Sequence, residues 1–200
     1  MSEALKELYA QHSDCTRCSL SKSANNVVFG FGNESSDVVF VGEAPGYHED
    51  KEGKPFVGAA GQLLTNLLAS IGMKREDIYI TNVLKCRPPG NRDPLPEEIE
   101  ACKPLLMKQI DIIAPKVVVT LGSFAARVIL GKVMPMSKIH GQPVKTDGYL
   151  VFPTYHPAAA LYARTTMTSL EEDFKALKEL LDSGVPHVPE EAHTEQLGLF

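Results

Sequence analysis

Residues Val38–Gly61 read VVFVGEAPGYHEDKEGKPFVGAAG, and the order of residue types in them sets the fold class. The apolar run Val38–Val41 is short enough for a buried strand. It breaks into Gly42-Glu43-Ala44-Pro45-Gly46, where two glycines and a proline force tight turns and let backbone approach a ligand closely. A charged segment follows, then Pro55-Phe56-Val57-Gly58, and an amphipathic helix begins at Gly61-Gln62-Leu63-Leu64. A strand running into a glycine-rich loop and then a helix is how open α/β sheets build sites at their strand ends. Neither GxGxxG nor GxxxxGK is present, so a phosphate-cradling loop is the weaker reading.

Downstream, Gln62–Gly72 reads as a helix ended by glycine, and Ile78–Val83 (IYITNV) as a strand that carries Asn82 to its C-terminal end. Lys85–Arg92 (KCRPPGNR) is a rigid basic loop whose prolines forbid continued helix. Pro94–Ile113 is a long helix, with Pro96 near its start and Glu97 and Glu98 at the positive end of its dipole. Val117–Leu121 is a buried strand, Phe124–Leu130 a helix, and Lys132–Gln142 an irregular basic segment. Tyr149–Pro153 forms the last strand and runs into Thr154-Tyr155-His156-Pro157, after which Leu161–Leu181 is mostly helical. Upstream, Leu5, Leu8 and Tyr9 stand at helical spacing within Glu3–Gln11. Four apolar strands alternating with helices predict a single-domain, three-layer α/β/α fold with a mostly parallel, four-stranded central sheet over residues 1–183. Residues 184–200 read as a flexible tail.

Two hundred residues suffice for one domain with a substantial core and no disulfide staples. No apolar run is long enough to span a bilayer, and Met1–Lys6 lacks a signal-peptide core, so a cytoplasmic protein with no membrane partner is expected. A net charge of −5 argues against indiscriminate polyanion binding but leaves room for a local basic face. In a reducing compartment cysteines bind metal more often than they pair. The four here are Cys15 and Cys18, spaced C-x-x-C, with Cys86 and Cys102 far downstream. That set suits a four-thiolate metal site, against buried unligated thiols, and spacing does not separate zinc from a 4Fe-4S cluster.

Three strand ends converge in this fold: the Gly42–Gly46 loop with Phe56, then Asn82, then His156. Alone, each has an ordinary explanation as a core ring, a turn former or a surface imidazole. Their joint placement at the ends of separate strands marks a site.

The chain resembles the family 4 uracil-DNA glycosylases, the iron–sulfur branch of that superfamily. The resemblance rests on Gly42–Gly46 with Glu49-Asp50, on Lys54–Gly58, on Ile80–Asn82 running into Lys85–Pro89, and on His156-Pro157-Ala158. The four cysteines stand in the same arrangement, and the similarity extends from about Leu8 to about Leu181. It implies a 4Fe-4S cluster on Cys15, Cys18, Cys86 and Cys102, with zinc as the alternative, and excision of uracil from single- or double-stranded DNA. Gly42, Glu43, Gly46, Phe56 and Asn82 would bind the flipped base, Phe56 by stacking and Asn82 by pairing uracil O4 and N3–H. His156 would hydrogen-bond O2 as negative charge grows there.

Two positions depart from the wider superfamily. Ala44 stands where many relatives carry an aspartate that handles the attacking water, leaving its backbone to position that water with Glu49 assisting. Gly46 stands where some relatives place a tyrosine against the thymine methyl group, so thymine exclusion falls to something else, such as the loop around Glu49. Asp50 reads as part of a solvated turn. No histidine follows Cys86 in the loop, as it does in a covalent-trapping relative, so ordinary monofunctional turnover is expected.

Arg87, Arg92, Lys138, His140 and Arg164 are candidates for phosphate pairing, and Leu161 for the apolar wedge that fills the vacated stack. The ending Gln196-Leu197-Gly198-Leu199-Phe200 resembles the peptide with which bacterial replication proteins dock on the sliding clamp. Those apolar anchors on a flexible tether suit docking into a preformed groove, which would place the protein at the bacterial nucleoid; a monomer is expected. The competing classes are a metal-stapled DNA-binding module, a glycosylase for another deaminated base, and an iron–sulfur redox protein.

Overall fold

The computed structural model describes residues 2–185. In chain order it forms α1 (Glu3–Ala10), β1 (Phe31–Gly32), β2 (Val38–Gly42), α2 (Tyr47–Glu52), α3 (Ala59–Ser70), β3 (Tyr79–Asn82) and α4 (Pro96–Ile113). Then come β4 (Val117–Leu121), α5 (Ser123–Leu130), α6 (Met136–Ile139), β5 (Val144–Lys145), β6 (Leu150–Thr154), α7 (Pro157–Ala160) and α8 (Arg164–Asp182). The strands lie in the order β1-β3-β2-β4-β6-β5. The middle four are parallel, and β1 and β5 pair antiparallel at the two edges.

The expectation of a four-stranded sheet is therefore corrected to six. Its parallel core is the four apolar runs, and the added strands are two residues each. A two-residue strand has no alternation to detect; β1 and β5 form because β3 and β6 would otherwise present unpaired edges.

Successive residues of β2 point to opposite layers. Val38 and Phe40 pack with Leu64 and Leu68 of α3 and with Leu170 and Phe174 of α8. Val39 and Val41 join Leu5 and Leu8 of α1, Leu106 and Ile110 of α4, and Ala125 of α5. Burial on both faces explains why the central strands read as unbroken apolar runs.

Element boundaries shift where side chains override pattern. The segment Tyr47–Glu52, too charged to show an apolar stripe, is helical. Helix α3 starts three residues before Gln62, at Ala59. Helix α4 starts at Pro96 rather than Pro94, because the Glu98 carboxylate accepts from the Leu95 N–H at 2.9 Å and fixes the first turn there. The segment Lys132–Gln142 contains α6. No helix among the described residues is long and apolar enough to cross a membrane.

From β2 the chain passes to β3 on one side, then returns past β2 to β4 on the other. That reversal opens a crevice beyond the carboxyl ends of the strands, where open α/β sheets bind ligands. Gly42, Asn82 and Thr154 are the last residues of β2, β3 and β6. The fold thus delivers three sequence-distant segments to one place.

Candidate active site

A pocket of about 340 Å³ lies at this crevice, walled by Glu43, Ala44 and Gly46 of the loop after β2, with Phe56, Asn82 and His156. The predicted base-binding and catalytic residues are thus brought together. Gly42 lies beneath them, and a methyl group on it would collide with Asn82 Oδ1 and the Phe56 ring. Asn82 itself is 1% exposed, and neither its Nδ2 nor its Oδ1 has a hydrogen-bond partner within the described residues. Leaving a buried polar group unpaired costs about 1–3 kcal/mol. This amide is therefore poised for a ligand that offers one acceptor and one donor side by side.

The Phe56 wall is held in an unusual conformation, with φ at +54°. Arg75 fixes it: its Nη1 donates to the Phe56 carbonyl at 2.9 Å and its Nη2 to the Pro55 carbonyl at 3.0 Å. Gly61 allows the close approach, since any side chain there would strike the Phe56 carbonyl. From the other side, Glu49 Oε1 accepts from the Val57 and Gly58 N–H groups at 2.9 Å each. Its second oxygen faces Gly46, where an added methyl group would sit 2.7 Å from it. Asp50, expected in a solvated turn, is instead 1% exposed and accepts from the Asn25 N–H at 2.8 Å. It anchors α2 to the N-terminal segment, and the sequence marks no partner for it.

His156 caps the short helix α7, and its Nδ1 accepts from the Ala158 N–H at 3.1 Å. An acceptor at Nδ1 puts the ring's proton on Nε2 in the neutral form. Burial lowers its pKa to about 4, against a smaller opposing pull from Glu49. At neutral pH the ring is an uncharged donor. It lies 5.7 Å from the Phe56 ring, tilted by 30°. Behind it, Asp173 accepts from Thr154 Oγ1 at 2.7 Å and from His140 Nδ1 at 2.8 Å, tying the end of β6 to α8. Sequence reasoning missed Asp173 and Arg75. The signal for Asp173 was a carboxylate on the apolar face of a helix, beside Leu170, Phe174 and Leu177.

Burial raises the Glu43 carboxyl above its ordinary range, with Asp93 adding to the shift and Arg127 opposing it. Ala44 contributes only backbone and a methyl group. Arg92, a candidate for phosphate pairing, holds the Glu98 carboxylate with its guanidinium at 2.9 and 2.6 Å and also lines the pocket. That pairing, ahead of other causes, lowers the Glu98 pKa despite burial. His140 is likewise occupied by Asp173. Arg164 opens α8 on the exposed surface, and Leu161 is 42% exposed. Beside it Tyr162, which the sequence did not single out, is 91% exposed.

All four cysteines line one small cavity, with Leu20, Leu84 and Leu105 around them. They arrive from the N-terminal segment, the loop after β3, and α4. As a free thiol Cys86 is pushed up to about 12, chiefly by burial and then by the neighbouring Cys102, Cys18 and Cys15. No group of three or more His, Cys, Asp or Glu side chains among the described residues is placed to hold a single metal ion. Lys85, wholly buried, donates from Nζ to Thr81 Oγ1 and the Asn82 carbonyl at 2.6 Å each, and from its backbone N–H to Cys102 Sγ at 3.3 Å. The predicted clamp residues Gln196, Leu197, Leu199 and Phe200 lie outside the described residues.

Residues 29–181 match the uracil DNA glycosylase superfamily. A type-4 uracil-DNA glycosylase of Archaeoglobus fulgidus is 47% identical over 192 residues, covering 92% of this chain and 96% of that protein. Enzymes of the same description from Saccharolobus solfataricus and Thermotoga maritima are 49% and 48% identical. The first alignment covers 84% of this chain and 82% of the relative, the second 82% and 86%.

Proposed function

This chain belongs to the uracil-DNA glycosylase superfamily, and from that premise we propose that it excises uracil from DNA by hydrolysing the N-glycosidic bond. The observation that carries this reading is the buried, unpaired amide of Asn82 in one pocket with the neutral imidazole of His156. Uracil offers an acceptor at O4 next to a donor at N3–H, which satisfies both ends of that amide. Cytosine reverses the two groups. A base stacked in a duplex must first be extruded, at a cost of a few kcal/mol. Stacking on Phe56, about 1–3 kcal/mol, offsets part of that.

His156 Nε2–H then donates to uracil O2, where negative charge develops as the bond to the sugar lengthens. A neutral donor suits a weakly basic leaving anion, because the proton stays on nitrogen while the hydrogen bond strengthens. Water reaches the cationic sugar past the backbone of Ala44, which positions it; Glu49 Oε2, the oxygen not engaged by the Phe56 loop, assists. The same oxygen fills the space beside Gly46 and stands in for the side chain that excludes the thymine methyl group elsewhere. The abasic strand is released without a covalent intermediate.

The four thiols fit a 4Fe-4S cluster, which when bound would tie the N-terminal segment to α4 and to the loop after β3. Arg87 and Arg164 would pair with phosphates, and Leu161 with Tyr162 would occupy the vacated stack. The domain ends near residue 183, and Gln196–Phe200 would dock a monomer on the bacterial sliding clamp at the cytoplasmic nucleoid. Clamp affinity that survives deletion of residues 196–200 would remove that last element.

Single-turnover excision from a uracil-containing duplex tests the whole reading. His156→Ala is expected to slow it about 10²- to 10³-fold while the fold stays intact. A wild-type rate in that variant would take His156 out of the mechanism. An inactive wild-type protein with its metal loaded would leave the fold and withdraw the activity.

A further inference from the structure

Tyr47 opens α2 between Gly46 and Glu49, both of which wall the pocket, and it is 47% exposed. On the facing wall, Arg87 precedes Pro88 and lies near Asn91, and those two also line the pocket. The Arg87 guanidinium carbon lies 5.2 Å from the Tyr47 ring centroid, so the pair bridges the two walls at the rim. Arg87 Nε donates to Asn91 Oδ1 at 2.7 Å, which fixes the fork, and its terminal nitrogens have no bond within the described residues. One turn along α2, Lys51 brings its Nζ to 4.8 Å from the same ring. The neighbouring Tyr47 side chain raises the Lys51 pKa.

We propose that Tyr47, Lys51 and Arg87 form a preorganised grip for the phosphates that flank the flipped nucleotide. This rests on the pocket being a uracil site and adds the element that holds the strand. Two cations gathered at one exposed ring repel each other, and the negative face of the ring offsets this only in part. An anion between them completes the balance. Free lysine and arginine side chains lose rotamer freedom when they bind a phosphate, and a ring that already confines them lowers that cost.

The anion is a DNA phosphodiester because of where the grip stands. A base in the pocket is joined through C1′ to a sugar at the mouth, so the flanking phosphates must pass over the rim. Tyr47 acts here as a post that places two charges, and its own contact with DNA is not required. The sequence pattern gives no hint of it, since Tyr47 and Lys51 are one helical turn apart while Arg87 lies on another segment.

The test is fluorescence anisotropy of a uracil-containing duplex with the full, metal-loaded chain, in a His156→Ala background so that the substrate persists. Lys51→Ala and Arg87→Ala should each raise Kd about three- to tenfold and lower the slope of log affinity against log salt by about one. Tyr47→Ala removes no charge and should still raise Kd several-fold, whereas Tyr47→Phe should keep most of the affinity. Lys116→Ala, which removes a cation paired with Asp37 at the opposite end of the strands, should leave Kd unchanged. Wild-type Kd and salt slope in Lys51→Ala and Arg87→Ala would overturn the grip. So would competition by inorganic phosphate at matched ionic strength, which would assign the site to free anions. Excision by the wild-type chain on the same duplex is scored separately: its absence withdraws the uracil reading, while the grip is judged on Kd and salt slope in either case.

Discussion

Asn82 reaches the pocket with both ends of its amide unpaired among the described residues, so the fit of a ligand there is decided by two hydrogen bonds. Asn82→Asp replaces the donor facing O4 with a second acceptor. We expect excision of uracil to fall at least about tenfold and the ratio of cytosine to uracil activity to rise, read by single-turnover assays on matched oligonucleotides. An unchanged uracil rate would deny Asn82 its recognition role. His156 gives a pH prediction. Its folded pKa, about 4, lies below its ordinary value of 6.5, so the unfolded chain takes up the proton first as pH falls. Its contribution to stability is therefore intact above about 6.5 and is lost progressively down to about 4, amounting to at most about 3 kcal/mol. Urea unfolding at pH 7 and pH 4.5 should show that loss in the wild type and a smaller one in His156→Gln. The acid limb of kcat assigned to this group should lie near the lower value.

At the scale of elements, legibility followed burial. Strands β2 and β4 were readable because burial on both faces demands continuous apolar residues, and Val117–Leu121 came out with its true limits. Helix α2 was not, since its residues answer to charge, capping and one buried carboxylate rather than to a stripe. The loop that carries Phe56 was legible as a motif while its support was hidden, because Arg75 lies 19 residues further on and meets it only in the fold. That support carries a prediction. Arg75→Ala should free the strained loop and raise KM for uracil DNA more than it lowers kcat, by about tenfold in kcat/KM. Arg75→Lys should not restore it, since an ammonium cannot make the paired contacts of a planar fork. Full activity in the alanine variant would show that the loop holds Phe56 unaided.

Across the whole molecule, the candidate site was legible because its residues sit at strand ends, where a parallel sheet gathers segments far apart in sequence. The convergence of Cys15, Cys18, Cys86 and Cys102 on one cavity extends that gathering to the N-terminal segment. Cys102→Ser is expected to lower the bound iron and sulfide and to reduce Tm by about 5–10 °C, roughly the effect of two or three kcal/mol in a domain of this size. Unchanged iron content would remove Cys102 from the ligand set. The same arrangement has a consequence for the chain as it is made. Eighty-four positions separate Cys18 from Cys102, which at about 5–20 residues per second is a wait of roughly 4–17 s on the ribosome. Through that interval the set of four thiols is incomplete, leaving the first ones open to oxidation or to the wrong metal. Assembly of the proposed cluster would therefore be set against a clock of translation, and conditions that slow synthesis should lower the fraction of chains that mature.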